Sequence, residues 1–168
     1  MFHKNDLVLY RTEGVYRVED ICVPDISGTS DRLYYVMQSL STQTTAYTPV
    51  DAEVNMRRIC SRPEALKALS ELREMEAVDL STLSHKHLKD FYAKAIKDQN
   101  FTNLLALYKS INQKKDSLEG TTKKLCQTDT AYLRKILTLL TEEIALCFDI
   151  KDDEAVLMLD RALSPDLN

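Results

Sequence analysis

The sequence predicts an α+β chain, an N-terminal five-stranded β-barrel of SH3-like form followed by a C-terminal all-helical bundle. Three observations carry this expectation. Up to Ile59 the chain is a series of short runs rich in Val, Ile, Tyr and Thr, separated by turn residues. From Arg62 onward the apolar residues recur every three or four positions. No glycine falls between Gly28 and Gly120, so nothing of that kind interrupts the helical stretch. The expected domains are residues 1–60 and 61–168, and the 168-residue length is enough for two small cores.

The strand segments are "DLVLY", "VYRVEDICV", "RLYYVMQSL", "TTAYTPV" and "VNMRRI". Gly14 sits where the first hairpin needs positive φ, and "PDISGTSD" supplies a longer loop between the second and third strands. Five short strands in about 55 residues are too few for an ordinary two-sheet sandwich. A small closed barrel buries one face of each and is the economical arrangement.

The helical half opens at "SRPE", where Ser61 and Glu64 have capping-box spacing and Pro63 falls in the first turn. Leu66, Leu69 and Leu72 form the first apolar stripe. Leu88, Phe91, Tyr92 and Ile96 form the second, after the cap Ser84, and Leu104, Leu105, Tyr108 and Ile111 the third. The strongest helix is expected from Asp129 to Phe148. Its stripe is Leu133, Leu137, Leu140, Ile144 and Cys147, widened by Ile136 and Leu139, and it should be the hub of the bundle. "DDEAVLMLDRAL" closes the series, with an acidic first turn that suits the helix dipole.

Chemistry is sparse. Three glycines, none within ten residues of another, cannot build a phosphate loop, and no cofactor is expected. His85 and His87 stand two apart, which on a helix points them to different sides, so metal ligation is not expected. No Ser or Cys lies in a nucleophile motif, and the chain reads as a non-enzyme. Cys22, Cys60, Cys126 and Cys147 include no C-x-x-C pair and are expected as buried free thiols. The N-terminus lacks a signal-peptide core, and no run approaches the roughly 18 apolar residues of a membrane span. The expected location is the cytoplasm, without membrane contact.

A net charge of −4 excludes coating of nucleic acid by bulk electrostatics. Between Lys109 and Lys124, however, five lysines face two acids, a local charge of +3. Lys114, Lys115, Lys123 and Lys124, joined by Arg134 and Lys135, are candidates for DNA phosphate contact; the alternative is a solvated connection between helices.

The opening "MFHKNDLVLYRTEGVYRVEDI", with "DRLYYVM" and "AYTPVD" after it, resembles the CarD/CdnL family of bacterial RNA polymerase-binding transcription regulators, whose polymerase-binding module resembles one in transcription-repair coupling factors. The residues that carry the likeness are Phe2, Asp6, Tyr10, Gly14, Val18, Glu19, Tyr34, Tyr35, Val36, Pro49 and Val50. "TDTAYLRKILTLLTEEIALCFDI" resembles the family's long penultimate helix. The resemblance implies a Tudor-like barrel that docks on the polymerase β subunit by edge pairing, and a helical domain touching promoter DNA near the transcription bubble. It points to Thr44, Thr45 and Tyr47 as partner-facing, unless they simply face solvent. Ile26 is a second contact candidate, or a loop anchor. The family's helical domain commonly wedges a tryptophan against opened DNA, yet this sequence has none; His85 or Leu104 falls near that place. A divergent member acting only as a protein-interaction module is the alternative. Activation or repression, target promoters and oligomeric state are not legible.

Overall fold

The structure is a computed structural model that describes residues 1–25, 31–52 and 56–164, the side chain of His85 excepted. Ile26 lies outside the described residues. The chain divides into two compact units, Met1–Ile59 and Cys60–Asn168.

The first unit is one antiparallel sheet of β1 (Leu7–Tyr10), β2 (Val15–Cys22), β3 (Tyr34–Ser39), β4 (Thr45–Pro49) and β5 (Met56–Arg58). Its order is β4-β3-β2-β1-β5. The expected five strands are present, but the sheet is not closed into a barrel. β5 returns to pair with β1, leaving β4 and β5 as the two edges.

Strand alternation puts Val8, Tyr10, Tyr16, Val18, Tyr35 and Met37 into one core, with Phe2, Ile21, Ala46, Val50 and Met56 packed against it. Between Val18 and Asp20 the register shifts by one residue. Uninterrupted alternation from Val18 would turn Asp20 inward; the bulge instead leaves Asp20 exposed and brings Ile21 to the core. Gly14 has φ 110° in the first hairpin, as its position there requires. The core's polar atoms are partnered: the Thr48 hydroxyl donates to the Tyr10 oxygen at 3.1 Å, and the Phe2 N–H to the Tyr35 oxygen at 3.1 Å.

The second unit holds α1 (Arg62–Glu71), a short 3-10 turn (Leu80–Thr82), α2 (His85–Asp98), α3 (Phe101–Ser117), α4 (Gln127–Phe148) and α5 (Asp152–Leu163). The Glu64 carboxylate accepts the N–H and the hydroxyl of Ser61, at 2.8 and 2.6 Å, and these bonds hold its pKa below the ordinary carboxylate range. Ser84 caps α2, accepting from the His87 N–H. α4 packs on α1, α2, α3 and α5, the central place its apolar width predicts.

Two stripes differ from expectation. In α1 the buried residues are Ala65, Ala68 and Leu69, followed by the buried C-cap Leu72, whereas Leu66 is 55% exposed. Ala65 and Ala68, not a third leucine, complete the buried face of α1. In α4 the buried centre is Ile136, Leu139, Leu140 and Ile144, and Leu133, Leu137 and Cys147 are half-buried at its margin.

Candidate interaction surfaces

The edge strand β4 is built by its register. Bonded pairs alternate along an antiparallel ladder. The Thr44 carbonyl accepts from the Ser39 N–H at 2.9 Å, and the Val50 N–H donates to the Leu33 carbonyl at 3.0 Å. Even-numbered residues from 44 to 50 therefore direct their backbone groups at β3. The N–H and C=O of Thr45 and Tyr47 point the other way, off the sheet. Their side chains, with that of Thr44, are exposed, Tyr47 to 47%. Pro49 has no N–H and limits any added pairing to the segment before it. The opposite edge is less inviting: β5 has three residues, and the Arg57 guanidinium donates to the Arg58 carbonyl at 2.9 Å. Of the three residues singled out on β4, then, Thr45 and Tyr47 present backbone to a partner, and Thr44 presents only its side chain.

The lysines separate into groups. Lys115, Lys123 and Lys124 are exposed and line one cleft of about 400 Å³ at the α3–α4 connection, together with Leu118, Glu119, Gly120, Thr121, Leu125 and Thr130. Gly120 turns the chain there with φ 76°. The Thr121 hydroxyl accepts from the Lys123 N–H at 3.1 Å, which orders the segment between the lysines. Three lysines line the cleft, with Glu119 as the one opposing charge among its lining residues.

Lys114 has a different role. Its ammonium lies 2.8 Å from Oδ2 of Asp129, a carboxylate with no exposure. The other oxygen of Asp129 accepts from the Tyr92 hydroxyl at 2.7 Å, and the Tyr92 ring stacks on Tyr132 at 4.8 Å. One carboxylate thus joins α2, α3 and α4. Burial opposes its ionisation, but the bonds from Lys114, Tyr92 and Cys126 prevail and its pKa lies below the ordinary value. For Tyr92, burial and then the adjacent carboxylate push the phenol pKa strongly up.

Arg134 and Lys135 are exposed farther along α4 and do not line the cleft; the Lys135 ammonium lies 5.6 Å from the centre of the Tyr132 ring. Leu104, one of the positions near the missing tryptophan, is wholly buried in α3. Sequence reading passed over α2, whose exposed side carries Lys86, Lys89, Lys94 and Lys97. Their spacing is legible in the sequence, but the local charge excess over α2 is smaller than that of the α3–α4 connection. The Lys114–Asp129 pair, fifteen residues apart, gave no local signal. Among the described residues no group of three His, Cys, Asp or Glu side chains is placed to hold a metal ion, and no helix is long and apolar enough to cross a membrane.

The stretch that forms this sheet is matched by a protein-interaction domain of the kind found in RNA polymerase-binding proteins. Residues 2–60 match the CarD-like/TRCF RID domain. The match ends within a residue of the boundary between the two units. No curated protein matches the chain.

Proposed function

We propose that the protein is a bacterial transcription regulator, cytoplasmic and without catalysis or cofactor, that docks on the RNA polymerase β subunit through β4. In this reading the backbone of Thr45 and Tyr47 extends a sheet of the partner, and the Tyr47 ring and Thr44 hydroxyl add side-chain contacts. Ile26 is kept as a further contact candidate. The observation that carries the proposal is the outward-facing backbone of Thr45 and Tyr47 inside the matched domain. Tyr47→Pro removes one outward N–H and should weaken capture of the β subunit at least tenfold, with Tyr47→Ala intermediate. Undiminished binding of both, with melting temperatures unchanged, refutes edge pairing.

The helical unit, in the same proposal, contacts promoter DNA near the transcription bubble. Lys115, Lys123 and Lys124 meet backbone phosphates, and Arg134 and Lys135 extend the positive surface along α4. Lys114, paired with Asp129, does not line the cleft and is left out of this contact set. Three phosphate contacts imply a slope of about −3 in log affinity against log salt, and reversal of the three lysines to Glu should abolish binding to a forked promoter duplex. A second reading, a protein-interaction module that has given up DNA, is favoured by two features: Leu104 is buried, and the chain has no tryptophan to act as a wedge. A flat salt dependence, or binding that survives the lysine reversals, supports it over the first.

A further inference from the structure

Of the four cysteines, all half-buried rather than buried as expected, two meet at one place in the helical unit. The Cys60 N–H donates to Oε1 of Glu143 at 2.8 Å, and the Cys147 thiol, one helical turn farther along α4, donates to the Cys60 carbonyl at 2.9 Å. Two α4 side chains therefore grip the peptide groups on either side of the Cys60 Cα. Sγ of Cys147 thus lies against the Cys60 backbone, and closing a disulfide asks for a Cβ separation of about 3.8 Å.

We propose that Cys60 and Cys147 are a peroxide-sensitive dithiol that closes to an intramolecular disulfide, fixing the entry to α1 on the C-terminal turn of α4. The Cys60 sulfur attacks one peroxide oxygen, the O–O bond breaks, and the departing hydroxide takes the thiol proton as water. The Cys147 sulfur then attacks the resulting sulfenic sulfur. The S–O bond breaks, and a second water leaves with the Cys147 proton. Two thiols and one hydrogen peroxide thus give one disulfide and two waters. Cys147 is the resolving thiol because its hydrogen bond already aims it at residue 60.

Within the helical unit the remaining thiol, Cys126, is set apart by position. Cys126 caps the N-terminus of α4, accepting from the Asp129 N–H at 3.4 Å. At 1.5 Å of rise per residue it lies about 30 Å from Cys147. Cys22 belongs to the N-terminal sheet.

The test treats the full chain with equimolar hydrogen peroxide, blocks remaining thiols with N-ethylmaleimide, and reads intact mass and peptide maps. The expected product has lost two hydrogens, takes up two maleimides instead of four, and yields a linked Cys60–Cys147 peptide. Cys147→Ser, which keeps a donor to the Cys60 carbonyl, should abolish the linkage and leave a dimedone-reactive sulfenic acid on Cys60. Four alkylatable thiols after peroxide, or a linkage that maps to Cys22 or Cys126, would overturn the proposal.

Discussion

Replacing Asp129 with Asn tests the polar junction beneath the lysine cleft. Asp129 has no exposure and the Lys114 side chain only 20%, so the substitution leaves a largely buried ammonium without its counter-charge. Breaking a buried pair by removing one partner costs 3–5 kcal/mol. Because Lys114 retains some access to water, the lower end applies, about 3 kcal/mol, or roughly 10 °C in melting temperature for a chain of this size. Tyr92→Phe keeps the ring stacked on Tyr132 and loses one hydrogen bond to a charged group, about 1.5–2 kcal/mol. The two effects should not add, since both act on the same carboxylate. Urea unfolding followed by far-UV circular dichroism measures them. A loss below about 1 kcal/mol for Asp129→Asn would refute the assignment of Lys114 and Asp129 as an energetically coupled pair.

Acid unfolding should carry the same signature: with its folded pKa below the ordinary value, Asp129 stabilises fully above about pH 4, and that contribution fades as pH falls through the lower folded value, so the variant should show a shallower acid transition. On α1, Leu72→Gln should destabilise by at least 2 kcal/mol, whereas Leu66→Gln should stay within about 0.5 kcal/mol, both read by thermal melting. In the sheet core, Thr48→Val strands the Tyr10 hydroxyl without its donor and should cost about 1 kcal/mol in urea unfolding, with no change in the β4 edge.

The elements were legible because their signals are local. β-Branched and aromatic runs marked the strands, Ser61, Ser84 and the acidic start of α5 marked helix ends, and periodicity marked α3 and α4. What escaped depended on partners distant in sequence. Strand order is one case, since no local rule says that β5 returns to β1 and leaves the sheet open. The bulge after Val18 is another, visible only once Ile21 is seen to reach the core. Leu66 misled because leucine every third residue reads as a buried stripe, while the true contact face of α1 uses Ala65 and Ala68. At the lysine cleft, charge counting found the region and three of its residues. It could not separate Lys114, because the carboxylate that occupies it comes from the next helix.

If β4 is the docking edge, amide hydrogen exchange on the full chain, free and with RNA polymerase, registers it at two residues. The Thr45 and Tyr47 amides should exchange readily in the free protein and become strongly protected in the complex, while β5 is unchanged. Protection confined to β5 or to the helical unit, with Thr45 and Tyr47 exchanging as before, would contradict it.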